Sequence, residues 1–245
     1  MKVFIPAAGK GTRLGSLTQQ TPKALVEIAG KPMLWHLMHK LVAAGFTEIV
    51  VNVHHFGDAI VAFLQRNGNF GVKVAVSDET KALLDTGGGL VQAAGLFSSQ
   101  TPFLVHNVDI MTDMDLAAFY KAHCASDNEA TLCVSTRKTS RYLLFDESMQ
   151  LCGWENRKTG EQIIPVMKPQ LTPYAFSGIQ MINPEMIPAL RTINPPAFPL
   201  IPAYLSLITH RKISGMDCRW QYWIDLGKPE SLHYASTFLV KKYNL

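Results

Sequence analysis

The chain has 245 residues, 47% of them hydrophobic, and 23 basic against 19 acidic side chains leave a net charge of +4. That length suits a single α/β domain with a sizeable core, and charge spread without a basic block or arginine stripe excludes a nucleic-acid surface. Cys124, Cys133, Cys152 and Cys218 are far apart with no CxxC pair, which excludes a zinc site or disulfide framework and fits a reducing cytosol.

The apolar run at Met1–Pro6 is too short for a signal peptide, and no stretch approaches the roughly 18 apolar residues of a membrane helix. A cytoplasmic protein with no membrane partner is expected. Val3-Phe4-Ile5 reads as a strand, followed by a long polar loop. Pro32 to Ala44 has apolar residues at Met33, Leu34, Leu37, Met38 and Leu41, a helical spacing that stops at Gly45. Glu48 to Val53 reads as a strand, Asp58 to Gln65 as a helix, Val72 to Val76 as a strand, Leu90 to Phe97 as a helix and Phe103 to Val105 as a strand. Repeated βα units with fully apolar strands predict a doubly wound, mostly parallel, Rossmann-like sheet in three α/β/α layers. After about Asp127 short strands crowd together: Ala130 to Val134, Tyr142 to Phe145, Leu151 to Trp154 and Ala175 to Ile182. They predict a small antiparallel extension. Pro184 to Pro202 reads as helices and loops, Asp217 to Asp225 as strands, and Pro229 to Lys242 as a closing amphipathic helix. With no repeat and no linker, residues 1–245 read as one domain in three stretches, 1–127, 128–225 and 226–245.

After the first strand comes Ala7-Ala8-Gly9-Lys10-Gly11-Thr12-Arg13-Leu14-Gly15, then Thr21-Pro22-Lys23. Small residues let backbone approach a base or phosphate, and their N–H groups can face an anion. Arg13 and Lys23 add a bidentate fork and a point charge suited to phosphate oxygens. A Walker A loop fails because Gly11 follows Lys10. A dinucleotide turn lacks its ribose carboxylate, since the next strand ends in Asn52-Val53-His54. An empty tight turn explains the glycines but not the two cations.

Phe103 to Val108 runs into Asp109, and Tyr222-Trp223-Ile224 into Asp225, so each aspartate ends an apolar strand. Ligands bind beyond the carboxyl edges of strands in such sheets. Two carboxylates there suit a Mg²⁺ that takes phosphate oxygens and water as its other ligands. Each could instead cap the next helix. Asp113 and Asp115 read as caps for the helix beginning near Leu116, and His54, His55 and His106 as polar lining without ligand spacing. Leu84-Asp85-Thr86-Gly87-Gly88-Gly89 places three glycines before a helix, where free N–H groups can read polar edges of a ligand.

Pro6 to Leu14, Thr21 to Val26 and Lys31-Pro32 together resemble the signature of the sugar-1-phosphate nucleotidyltransferases, and the similarity runs along nearly the whole chain. It is nearest to short members such as N-acetylmuramate-1-phosphate uridylyltransferases and mannose- or heptose-1-phosphate guanylyltransferases. The resemblance implies that an NTP and a sugar 1-phosphate are joined with release of pyrophosphate, a uridylyl transfer first and a guanylyl transfer as the alternative. It implies that Ala7, Ala8, Gly9, Gly11, Thr12, Arg13, Lys23, Thr86, Gly87 and Gly88 bind nucleotide, and that Asp109 and Asp225 hold Mg²⁺. Arg13, Lys23, Asp109 and Asp225 would be the catalytic set, and Asn107 and Gly178, the latter in Ala175-Phe176-Ser177-Gly178-Ile179, would face the sugar. The stretch 1–127 would then be the nucleotide half and 128–225 the sugar half.

Two departures stand out. Met167 replaces the glutamate of the family's E-K-P segment, so that sugar contact is not carried over. Val108 stands where family members carry glycine, and a side chain there is expected to narrow the sugar pocket or tilt Asp109. A non-catalytic nucleotide-sugar sensor on the same fold is the rival reading. It would have lost one of the four charged residues, and all four are present.

Overall fold

A computed structural model describes residues 1–97 and 101–243. The first half runs β1 (Lys2–Pro6), β2 (Glu27–Ile28), β3 (Lys31–Pro32), α1 (Met33–Ala43), β4 (Glu48–Val53), α2 (Gly57–Arg66), β5 (Lys73–Asp78), α3 (Asp85–Ala93) and β6 (Phe103–His106). It continues through β7 (Ile110–Thr112), α4 (Leu116–Cys124), β8 (Ala130–Ser135), β9 (Arg141–Phe145), β10 (Leu151–Asn156) and β11 (Glu161–Ile163). The rest is β12 (Thr172–Ile182), α5 (Met186–Leu190), α6 (Leu200–Leu207), β13 (Ile213–Asp217), β14 (Trp223–Asp225) and α7 (Pro229–Tyr243).

Contacts divide the chain into two units interleaved in sequence. The first holds Met1–Leu83, His106–Leu116 and the residues from Trp220 onward; the second holds Leu84–Val105 and Ala117–Arg219.

In the first unit β4 lies between β1 and β5, and both pairings are parallel, from Lys2↔Glu48 to Pro6↔Asn52 and from Glu48↔Lys73 to Val53↔Asp78. Val3, Phe4, Ile5, Ile49, Val50 and Val51 have no exposed surface, as expected of parallel strands covered on both faces. α1 buries Met33, Leu34, Leu37, Met38 and Leu41, the stripe its spacing predicts, and α2 buries Ile60, Phe63 and Leu64. A separate apolar cluster joins Leu14 of the glycine-rich loop to Ile28, Met33, Met111, Ile224, Leu226 and Leu239. It packs the loop, the β7–β14 ladder and α7 together, so the loop, with short 3-10 helices at Thr12–Thr18 and Lys23–Leu25, is anchored.

In the second unit β9, β10 and β11 form an antiparallel meander, and β12 pairs antiparallel with β9 and with β8. β13 is parallel to β8. The register of β12 against β8 slips between Phe176 and Gln180, and Gly178 sits in that bulge at φ 77°, a backbone only glycine adopts freely.

The α/β class and the antiparallel strands expected from the sequence hold. Among the element boundaries that differ, two bear on the candidate ligand residues and the aspartate turn. The helix expected from Leu90 starts at Asp85, so the three glycines lie inside its first turns. Residues 218–222 are not a strand: Asp113 Oδ1 accepts from Gln221 N at 3.0 Å and Tyr222 N at 3.3 Å, so these N–H groups leave the ladder pattern.

Candidate active site

The first unit gathers the four charged residues that the sequence singled out. β7 and β14 pair antiparallel, with Asp225 opposite Ile110, and Leu226 N donates to Asp109 O at 2.8 Å. A three-residue ladder thus sets two strand-end aspartates side by side, although more than 100 residues separate them in sequence. The turn presenting Asp109 is closed by Asn107 O, which accepts from Ile110 N at 3.2 Å and His106 Nδ1 at 2.9 Å.

Cations face both carboxylates. Lys23 Nζ forms an ion pair with Asp109 Oδ2, and the two side chains are only 13% and 12% exposed. Arg13 reaches Asp109 Oδ2 and Asp225 Oδ2, each at 3.9 Å, from a side chain that is 57% exposed. Lys23 is inward and held; Arg13 is outward and movable. Gly11 lies at φ 66°, and a Cβ there would stand 2.9 Å from Lys23 Cβ and 3.0 Å from Thr18 Cγ2. Glycine at this place therefore lets the loop close over the lysine stem.

The donor set fits a hard divalent cation that arrives with phosphate. Asp225 Oδ1 is used by Gly227 N at 2.8 Å, which leaves Oδ2 toward Arg13. Among the described residues no group of three or more His, Cys, Asp or Glu is placed to hold a metal. Two carboxylates with phosphate and water to complete the shell is the pattern Mg²⁺ uses.

Several placements differ from the sequence reading. Ala7 and Ala8 N–H do not face open space: both donate to Asn52 Oδ1, at 2.6 and 3.2 Å. Gly9 and Thr12 are exposed, in the loop that carries Arg13. Within the second unit, Gly87 N and Gly88 N donate to Phe198 O at 2.8 and 3.3 Å. A Cβ on Gly87 would overlap the Phe198 ring, and one on Gly88 the Pro196 carbonyl. The chain's own 196–198 segment thus requires glycine there, and Thr86 Oγ1 accepts from Leu200 N at 3.1 Å.

His106 is fully buried rather than lining a cleft, and burial pushes its pKa down to about 4. It is a neutral imidazole whose Nδ1 donates to Asn107 O. Val108 is 5% exposed and lines an apolar cavity of about 600 Å³ with Met33, Leu37, Met111, Leu226 and Leu239. Arg13, Lys23, Asp109 and Asp225 are not among the residues lining it. Val108 therefore shares this cavity with side chains of α1 and α7.

Sequence reasoning passed over the roles of Asn52, Glu79 and the tie made by Asp113, and noted Gly227 only as part of the Trp223–Glu230 resemblance. A Cβ on Gly227 would stand 2.5 Å from Arg13 Nη2 and 2.8 Å from Asp225 Oδ1, so both charged groups cross over this glycine.

Residues 2–242 match the family model described as nucleotidyl transferase. The chain belongs to the nucleotidyl transferase family. It is 46% identical over 233 residues to the N-acetylmuramate alpha-1-phosphate uridylyltransferase of Neisseria meningitidis serogroup B, covering 93% of each chain. It is 31% identical over 238 residues to the protein of the same description from Caulobacter vibrioides, covering 93% and 92%. Among solved structures, HddC from Yersinia pseudotuberculosis complexed with GMP-PN superposes with a TM-score of 0.75 at 23% identity, over 97% of this chain and 99% of that one. At that identity the likeness supports the fold.

Proposed function

We propose that this enzyme condenses UTP with N-acetylmuramate α-1-phosphate to give the UDP-sugar and pyrophosphate, with Mg²⁺ held by Asp109 and Asp225. The chemistry rests on one observation, the convergence of two strand-end carboxylates with Arg13 and Lys23 in a single unit. Choice of base and sugar rests on the full-length 46% identity to a uridylyltransferase of that description.

A phosphate oxygen of the sugar 1-phosphate attacks the α-phosphorus in line. The bond from that phosphorus to the β-phosphate bridge oxygen breaks, and pyrophosphate leaves. No side-chain nucleophile or proton transfer is needed, because the attacking group is already an anion. The protein must bring two repelling anions together and answer the charge that builds toward pyrophosphate. Lys23 does the second task from a mostly buried position, and Arg13, lying over Gly227, answers the same charge from the exposed side. The metal, when bound, screens the phosphates and orients them. As part of the same proposal, the loop at Ala7, Ala8, Gly9, Gly11 and Thr12 carries the nucleotide, and Asn107 faces the sugar.

The test is pyrophosphate release from five NTPs, each paired with 1-phosphates of N-acetylmuramate, N-acetylglucosamine, glucose and mannose. UTP with N-acetylmuramate α-1-phosphate should give the highest kcat/KM, and excess EDTA should abolish it. Preference for GTP with mannose 1-phosphate would replace this reading by a guanylyltransferase. Nucleotide binding without turnover on any pair would leave a sensor.

A further inference from the structure

The carboxyl ends of β1, β4 and β5 carry a buried polar chain that the phosphate chemistry does not use directly. Asn52 stands in β4 opposite Pro6, and its Oδ1 accepts from the next two backbone N–H groups, Ala7 and Ala8. Its Nδ2 donates to Glu79 Oε1 at 2.6 Å. Glu79 follows β5 and is itself anchored, with its N donating to Val53 O at 2.8 Å and its O bonded to His54 Nδ1 at 2.7 Å. Asn52 is 2% exposed and Glu79 1% exposed.

This chain has one sense only. Turning the Asn52 amide over would set its NH₂ against two N–H donors and its oxygen against a carboxylate. Parallel ladders already hold β1, β4 and β5 together, and burying a carboxylate is costly. What the Asn52 amide adds lies beyond the ladder. Two consecutive peptides are drawn onto one oxygen, which sets the heading of the chain as it leaves β1. The loop so aimed carries Gly9, Gly11 and Arg13.

We propose that Asn52 and Glu79 are positioning residues for the nucleotide loop, acting through the Ala7–Ala8 backbone. The inference rests on the nucleotidyltransferase reading above and extends it to residues that touch no phosphate.

The test uses three variants of the full chain. Asn52→Asp keeps an acceptor for both N–H groups but places it against the Glu79 carboxylate. Glu79→Gln keeps an oxygen for the Asn52 amide and is the matching single variant of the cycle. Asn52→Asp with Glu79→Gln restores the chain with the middle bond reversed, the new amide donating to the new carboxylate. Nucleotide Kd is read by calorimetry with UTP and Mg²⁺, KM for each substrate by pyrophosphate release, and folding by thermal denaturation. Asn52→Asp should weaken UTP binding by about tenfold or more, the scale of one buried hydrogen bond, while KM for the sugar 1-phosphate moves by less than about twofold. The double variant should return to within about threefold of wild type.

Unchanged UTP binding in Asn52→Asp, with only its melting temperature lowered, would reduce the pair to scaffold and overturn the inference. So would a double variant as impaired as the single one. Should Asn52→Asp fail to fold, the double variant and Glu79→Ala carry the same comparison. Wild type that neither binds UTP nor releases pyrophosphate would sink the function itself, and the inference with it. Active wild type with indifferent variants would sink the inference alone.

Discussion

Gly227→Ala separates the fold from the chemistry. The added methyl would stand 2.5 Å from Arg13 Nη2, 2.8 Å from Asp225 Oδ1 and 2.9 Å from Arg13 Cζ, all side-chain atoms. Arg13 is the easier to move, being 57% exposed and paired only at 3.9 Å. Coulomb attraction at that distance in a water-like medium is about 1 kcal/mol, so the folded state should lose no more than about that much. Relief to an ordinary contact of 3.4 Å or more shifts the guanidinium by about 1 Å. A misplacement of about 1 Å at a positioned group can cost about 100-fold in rate, or about 2.7 kcal/mol. We therefore expect kcat/KM for pyrophosphate release to fall by about two orders of magnitude with a nearly unchanged melting temperature. Turnover within about threefold of wild type in a folded Gly227→Ala protein would show that Arg13 need not lie over Gly227, and would refute the assignment.

Three further outcomes follow from particular contacts. Lys23→Met leaves the mostly buried Asp109 carboxylate without its nearest cation, so the apo variant should lose about 3 kcal/mol, and Mn²⁺ should restore more stability to it than to wild type. Equal Mn²⁺ stabilisation of both proteins would mean that Lys23 does not compete for the metal carboxylate. His106 has its pKa lowered by burial from 6.5 to about 4. Below pH 6.5 the unfolded chain takes up a proton that the folded chain refuses, so stability from this group falls as pH drops toward 4. The loss between pH 7 and pH 5 is about 2 kcal/mol, and His106→Gln should lack it in paired denaturant titrations; equal pH slopes would contradict the burial argument. Val108→Gly should leave the ranking of sugar 1-phosphates as it is and cost about 2–3 kcal/mol of stability, through lost apolar burial and added backbone freedom. A changed ranking in the substrate panel would place Val108 against the sugar after all.

Local pattern made much of this protein legible in advance. The apolar runs of β1, β4 and β5 and the stripe on α1 are signals written within a few residues of each other, and they survive folding because parallel strands and amphipathic helices bury what their spacing exposes. The glycines and cations of the loop were legible for a related reason, since Gly9, Gly11, Arg13 and Lys23 lie close together in sequence. Asp109 and Asp225 could be marked as strand-end carboxylates but not as neighbours. That depends on β7 and β14, strands of three residues each, too short to show a period and formed only because they pair.

The remaining assignments needed the packed chain. Asn52 and Ala7 are 45 residues apart, and Lys23 and Asp109 are 86 apart. Glycines 87 and 88 give their N–H groups to Phe198 O, and Val108 lines a cavity with residues of α1 and α7, partners that the sequence around them does not name. A residue's type and its neighbours in sequence determine what it can donate, accept or bury. Which group receives that donor, or fills that space, is set by parts of the chain brought near only when the core closes, and no local pattern records it.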